Sequence, residues 1–392
     1  SPPFDLVILG ATGFTARLAT AHLARTAPAG LRWAIAGRSR ERLEAERTRL
    51  ALIDPALGAL PIVIADNADP AALADLAAST RVLINATGPY LLHGEPVVRA
   101  CAEAGTDYVD LTGEPEFVDL MYLNHHATAR RTGARIVHAC GFDSVPHDLG
   151  ALHAVRTLGE PGAVRVRGIV RAGGGVSGGT LASGLNALAR LRPMRSAAKR
   201  RAELEPRPSG RSSQPVTLRP QRDDDLDVWL LPLPAIDQQI VARSGAALEE
   251  YGNDFSYSHA AGLRRLPTLV GALAGVTVLV AAAQVGPLRR LIGSRLPQGQ
   301  GPDDATRAAS GFTVDFIAVG SGRSVHTRVT GPDPYDLSGI ALAESALSLV
   351  LDDNPPTSGQ VTTAQAMGDA LTLRLTKHGV SFDVVDPAPT VS

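Results

Sequence analysis

Cysteine is almost missing from this chain: there are two among 392 residues, Cys101 and Cys140. That excludes a disulfide framework and fits a reducing compartment. No CxxC pair and no Cys/His spacing reads as a metal site. A surplus of charge is missing as well. Lys and Arg number 38 against 39 Asp and Glu, for a formal net charge of -1. Nothing in that balance offers nucleic acid the basic face it needs. There is no charged leader followed by an apolar stretch and a cleavage site. The chain runs straight into a strand, and a cytoplasmic location is the expectation. No internal repeat, Ser/His/Asp spacing or paired carboxylates in helical register occur, so hydrolysis is not indicated. What remains is an ordinary globular composition, 44% hydrophobic and 20% charged. At this length it suits two or three domains with a large core.

The first 145 residues alternate apolar runs with helical patterns. Strands are expected at 5–9, 31–37, 60–66, 81–90, 107–114 and 134–141, with helices at 13–26, 40–50, from Pro70, and at 95–104. Short apolar runs suit strands buried on both faces of a parallel sheet. Strand–helix alternation implies right-handed crossovers and an α/β fold, a Rossmann doubly wound sheet. After Pro146 the rhythm changes. A helix at 147–158 leads to an alternating strand at 163–172 and a glycine-rich loop at 173–180, with a helix from Leu181. The loop is open to three readings, an anion cradle, a flexible lid or a tight domain crossing. Residues 193–225, rich in Arg, Pro and Ser, read as a long flexible insertion. A hairpin is expected at 311–331 around Gly320-Ser321-Gly322, then helices at 338–351 and 363–376. Residues 146–335 therefore form a second, α+β domain with antiparallel strands. Residues 336–392 supply C-terminal helices and a strand.

Gly10-Ala11-Thr12-Gly13-Phe14-Thr15-Ala16 fits GxxGxxA between the first strand and the first helix. The chain must turn tightly, bring its backbone against a pyrophosphate and aim helix N–H groups at it. Strand–turn–helix is the context this motif requires. The second strand then selects the cofactor. An NAD site places an acid there for the ribose 2′-hydroxyl. Here the strand ends Ala36-Gly37-Arg38-Ser39-Arg40, and no carboxylate comes before Glu41. Arg38 can stack on adenine and pair with a 2′-phosphate, and Ser39 can donate to it, which selects NADP(H). The bland alternative is that Arg38, Arg40 and Arg42 are a solvated helix start. Asp66 is placed to accept from the adenine amino group. Asn85, Ala86, Thr87, Gly88, Pro89 and Tyr90 are placed under the ribose and nicotinamide, because ligands lie off the carboxyl ends of such strands.

Residues 266–287 hold no charge, with Arg264 and Arg265 before them and Arg289 and Arg290 after. A bilayer span takes about 20 residues, and Gly271 and Gly275 form a GxxxG. Pro267, Gln284 and the glycines and alanines weaken that apolar character. Three readings stand: spanning helix, interfacial lipid-facing helix, or core and dimer interface.

"GATGFTARL", "WAIAGRSRERLE", "TGPYLLHGEPVVRACAEAGTDYVDLTGEPEFV" and "HACGFDSVPHDLG" resemble the saccharopine dehydrogenase-like oxidoreductases. They resemble more closely the actinobacterial branch named trans-acting enoyl reductases, which serves complex-lipid and polyketide synthesis. The likeness continues in "GGGVSGGTLAS", "GSGRSVHTRVTGPDPYDLSGIALAESAL" and "QVTTAQAMGDAL", so it covers nearly the whole chain. It implies a Rossmann domain, an α+β domain over the cofactor and final helices that return to the first domain. It also implies NADPH-dependent hydride transfer to a lipid or polyketide acyl substrate, free or carrier-bound. A homodimer is common for such folds, and peripheral membrane contact suits a long acyl chain.

Hydride chemistry belongs to the cofactor, and the protein orients it and supplies a proton. The polar groups expected beside the nicotinamide are Tyr90, His93, Glu114, Asp143, Ser144 and His147. Tyr90 and His93 are the candidate proton donors; Asp143 and Ser144 are expected near substrate, with Asp148 structural. Each has a bland alternative, Tyr90 packing on the cofactor, His93 orienting a helix, and Asp143 and Ser144 capping one. Two other functions stay open. One is saccharopine-type C–N or C=O chemistry, which needs a basic cluster such as Arg165, Arg167 and Arg171. The other is a non-catalytic NADP-binding protein at a lipid surface.

Overall fold

In a computed structural model of the chain, residues 2–172, 190–206, 208–233, 236–284 and 301–385 are described. They divide into two compact units, 1–145 with 335–378, and 146–334 with 379–392.

The first unit is built on a seven-stranded sheet. Its strands are β1 (Phe4–Leu9), β2 (Trp33–Gly37), β3 (Ile62–Ile64), β4 (Thr80–Asn85), β5 (Asp107–Asp110), β6 (Arg135–Val137) and β14 (Gly359–Val361), in the order β14-β6-β5-β4-β1-β2-β3. Every pairing is parallel. β1 lies inside the sheet, between β4 and β2, and its Leu6, Val7, Ile8 and Leu9 are apolar on both faces and fully buried, as a strand covered by helices on both sides must be. The helices are α1 (Phe14–Thr26), α2 (Arg40–Ala51), α3 (Pro70–Ala78), α4 (Tyr90–His93), α5 (Glu95–Ala104) and α6 (Pro115–Thr132). Asp69 caps α3 by accepting from Ala71 and Ala72 N–H, with Pro70 in the first turn, where proline has no hydrogen bond to lose.

The helix Pro334–Leu351 crosses α1 closely. A Cβ at Gly339 would lie 2.6 Å from Leu18 Cβ and 3.0 Å from Ala19 N, so only glycine allows that approach. Tyr335 meets Phe14 edge-on, with ring centroids 5.6 Å apart. Helices Thr363–Ala366 and Gly368–Lys377 follow where a single helix at 363–376 is expected.

The second unit carries a mixed sheet. β7 (Ala163–Ala172), β11 (Asp254–Leu263), β12 (Phe312–Val319) and β13 (Ser324–Gly331) are its long strands; β9 (Gln221–Asp223), β10 (Val228–Pro232) and β15 (Ser381–Val385) extend it. The order is β15-β13-β12-β7-β11-β10-β9, with β8 (Ser212–Pro215) also on β11. The hairpin at 311–331 is present as β12 and β13, antiparallel around Gly320-Ser321-Gly322. The C-terminal return to the first unit stops at His378, because β15 pairs with β13.

The expectation of a flexible loop at 193–225 is corrected. Residues Leu191–Leu204 form a helix, and β8 and β9 follow. The segment lacks large apolar residues, but Ala197 is buried and Arg201 pairs with Glu205 one turn on, a spacing that supports a polar helix. The helix Leu266–Gln284 is present. Among the described residues, no helix is long and apolar enough to cross a membrane. The glycine-rich loop at 173–180, the helix expected from Leu181, and residues 285–290 lie outside the described residues.

Candidate active site

The carboxyl ends of β1 to β6 hold most of the expected residues. Gly10 leaves β1 with φ +81°. Its N–H and that of Ala11 donate to Ala36 O at the end of β2 (2.9 and 3.4 Å), and Gly13 N–H donates back to Gly10 O (3.0 Å). The turn also touches the end of β4, since a Cβ at Gly10 would meet Thr87 Cγ2 at 2.6 Å. α1 begins at Phe14 with no side-chain cap and no acid in its first turn. Its leading N–H groups are therefore suited to an anion. Thr12 of the turn, Arg17 of α1 and Arg42 of α2 line one depression beside it.

After β2, Arg38 is exposed and no acid comes before Glu41, which is also exposed. Ser39 caps α2, its hydroxyl accepting from Arg42 N–H at 3.4 Å. Both bland features are thus real: α2 does start here, and its arginines are solvated. The hydroxyl proton of Ser39 is not consumed by that cap. Asp66 is exposed after β3 and accepts from Ala68 N–H (3.0 Å). Asn67, which no spacing pattern singles out, donates to Thr87 Oγ1 (2.8 Å) and to the His93 carbonyl (2.9 Å). It ties the end of β3 to the ends of β4 and α4.

A buried hydrogen-bond chain crosses the sheet ends from β4 to β6. Asn85 accepts from Thr87 N–H (3.1 Å) and donates to Tyr108 OH (3.1 Å). Tyr108 donates to Asp110 Oδ2 (2.9 Å), which His138 Nδ1 also reaches (2.7 Å). Ala139 and Thr112 N–H donate to Asp110 Oδ1 (2.9 and 3.1 Å). Asp110 is thus satisfied by four donors, and the loop after β4 rests on a fixed base.

Tyr90 is buried, and its hydroxyl donates to the Asn85 carbonyl (3.0 Å). Burial, with Asp110 nearby, pushes its phenol well above the usual range. This geometry makes Tyr90 a brace for the 85–90 loop. Glu114 is the cap of α4: its two oxygens accept from Tyr90 and Leu91 N–H, each at 3.0 Å. Burial raises the Glu114 carboxyl despite those two bonds. His93 ends α4 with its side chain exposed. Asp143 is exposed, whereas Ser144 is buried and its Oγ has no hydrogen-bond partner among the described residues. His147 is buried in the second unit, 3.5 Å from Asp237. Asp148 accepts from Ser244 (2.6 Å) in that unit.

The saccharopine dehydrogenase NADP binding domain matches residues 6–137. A relative in Mycobacterium tuberculosis is 36% identical over 413 residues, covering 97% of each chain. The protein named trans-acting enoyl reductase in Mycobacterium ulcerans is 34% identical over 420 residues, covering 96% of each. An apo saccharopine dehydrogenase (L-Glu forming) of Saccharomyces cerevisiae shares the fold, with TM-score 0.56 and 15% identity over 97% of this chain and 100% of that one. The Gly10 turn, the uncapped start of α1 and the acid-free end of β2 fit the NADP(H) such a domain binds. The chain belongs to the saccharopine dehydrogenase-like NADP-dependent oxidoreductases, in the branch of the trans-acting enoyl reductases.

Proposed function

We propose that the protein reduces the carbon–carbon double bond of an α,β-unsaturated acyl thioester presented on a carrier. The relatives' name supports this across nearly the whole length. The observation that carries the choice over a C–N reaction on an amino dicarboxylate is the state of the β7 arginines. Arg167 is paired with Asp223 and Asp225 (3.3 and 2.7 Å), and Arg171 with Asp315. A dicarboxylate needs cations that are not already neutralised, and of the row only Arg165 is exposed.

Bound NADPH supplies the hydride that forms the new C–H bond at the β-carbon. The N-terminus of α1 holds the pyrophosphate, Arg38 and Ser39 take the 2′-phosphate, and Asp66 takes the adenine amino group. The loop 85–90, fixed from below by Asn85, Tyr90 and Asn67, sets the nicotinamide ribose. Ser144 Oγ is assigned to the enolate oxygen, since a hydroxyl with no partner among the described residues can donate there as charge develops. His93 is assigned the proton that closes the reaction at the α-carbon, and Asp143 the substrate side of the same turn as Ser144.

The helix Leu266–Gln284 is assigned to an anionic lipid surface. Leu266, Val270 and Val278 are exposed on it, and Arg264 and Arg265 are exposed at its start. Apolar faces with flanking arginines bind such interfaces. The test of the reaction is NADPH consumption on enoyl thioesters of rising chain length, free and carrier-bound, against saccharopine with NADP. Turnover that grows with acyl length supports the reading. Activity on saccharopine alone refutes it.

A further inference from the structure

The second unit buries a cluster of two histidines and one aspartate. His147 lies near the start of helix α7 (Val145–Leu158), Asp237 in the first turn of the helix Ile236–Ala247, and His259 on β11. All three are almost fully buried, at 1%, 3% and 1% exposure. Both imidazoles aim Nε2 at the same oxygen, Asp237 Oδ2, at 3.5 Å from His147 and 3.2 Å from His259. The rings lie edge to face with centroids 4.6 Å apart. The ligating atoms all lie within 4.8 Å of one another.

The protein's other histidine–carboxylate pairs give an internal standard. His22–Glu344, His138–Asp110 and His326–Asp315 stand at 2.6, 2.7 and 2.7 Å, the length of short charge-assisted hydrogen bonds, and His125–Glu95 and His378–Glu344 at 3.0 and 3.1 Å. The Asp237 separations are longer. They match the edge of a tetrahedron with metal–ligand bonds of about 2.0–2.1 Å, which is about 3.3–3.4 Å. Neutralisation differs too. Glu344 is paired with Arg374, and Asp315 with Arg171 and Arg328. Asp110 has its four donors. The ion pairs of Asp237 among the described residues are both with histidine, and its Oδ1 is buried with no hydrogen-bond partner. A buried carboxylate oxygen left unmatched is costly. On the far side of His259, Nδ1 meets Tyr257 OH at 3.3 Å, the outer contact that orients a ligating imidazole.

We infer that His147 Nε2, His259 Nε2 and Asp237 Oδ2 hold a divalent transition-metal ion of the zinc class, with Asp237 Oδ1 on the same carboxylate able to chelate that ion in a distorted four-coordinate shell. The site is structural. It joins α7, the Ile236–Ala247 helix and β11, and its burial means that the ion enters as the chain folds. The inference rests on this cluster alone and stands or falls independently of the enoyl reductase reading. The second cluster of this type, His22, Glu344 and His378, is not assigned a metal, because Arg374 already supplies its positive charge at 3.0 Å.

The test uses the full chain expressed with added zinc and, separately, with cobalt. Elemental analysis after chelator dialysis is expected to find about one ion per chain. In Asp237→Asn and His259→Gln, judged folded by circular dichroism and by retained NADPH binding, that content is expected to fall about tenfold or more. X-ray absorption on the zinc-loaded wild type is expected to show imidazole scattering, a readout that needs no variant. Wild type without metal, equal metal content in the variants, or a zinc shell lacking imidazole would each overturn the inference.

Discussion

Gly10→Ala tests whether the first turn is shaped as described, and its cost can be worked out. Gly10 has φ +81°, a region where an L-residue loses about 1–2 kcal/mol. The new Cβ would also lie 2.6 Å from Thr87 Cγ2 and 3.1 Å from the Ala86 carbonyl carbon. Thr87 cannot rotate away freely, because its Oγ1 accepts from Asn67 and donates to Asn85. Losing those two bonds costs about 0.5–1.5 kcal/mol each. The sum is about 2–5 kcal/mol. Urea denaturation followed by circular dichroism reads it, with NADPH affinity by fluorescence alongside. Thr87→Ser keeps the hydroxyl and deletes Cγ2. In the Gly10→Ala background it should recover the collision and leave the backbone cost of about 1–2 kcal/mol. A single variant within about 0.5 kcal/mol of wild type, or a double variant with no recovery, would refute the reasoning.

Three further outcomes are expected. Arg38→Ala should weaken NADPH by about 10–100-fold, the range of a charge-assisted pair, and NADH less, through the lost adenine stacking alone; equal losses in fluorescence titrations would leave Arg38 without its role. Asp315→Asn should destabilise by about 2–4 kcal/mol, at the low side because Arg171 and Arg328 are about one-third exposed. Burial pushes the Asp315 carboxyl up, but His326, Arg328 and Arg171 outweigh it and hold it below its usual value of 3.8. The stability from this group is therefore full above 3.8, lost as pH falls through the lower folded value, and absent from the Asn variant's acid limb. Val278→Asp should cut sedimentation with anionic vesicles several-fold; binding that is unchanged, or absent in the wild type, would remove the helix from the membrane.

The first unit was legible in the sequence where short apolar runs meet glycine and helical periodicity. β1, its turn and α1 follow from Leu6–Leu9, Gly10 and Gly13, because burial on both faces and a tight turn each demand particular residue types. Other parts left little local trace. β14 is three residues, Gly359–Val361, held by pairing with β6. The helix Leu191–Leu204 looked like loop, since its support is the Arg201–Glu205 pair and one buried alanine. At the site, the glycines, Arg38 and the 85–90 loop carry motif spacing. Asn67 does not, because its role depends on three strand ends meeting. The His147, Asp237 and His259 cluster is invisible for the same reason: its members are far apart in sequence and meet only in the fold. Tyr90 was legible as a residue of the loop, but its task was not. Its hydroxyl is spent on the Asn85 carbonyl.

The most direct measurement of the central claim follows isotope from cofactor to product. NADPH deuterated at the transferred position, mixed with the protein and a carrier-bound enoyl thioester, should give a saturated product with deuterium at the β-carbon. Run in heavy water with ordinary NADPH, the label should appear at the α-carbon. Deuterium on a carbinol or amine carbon, or a thioester left unsaturated while NADPH is bound, would contradict the account.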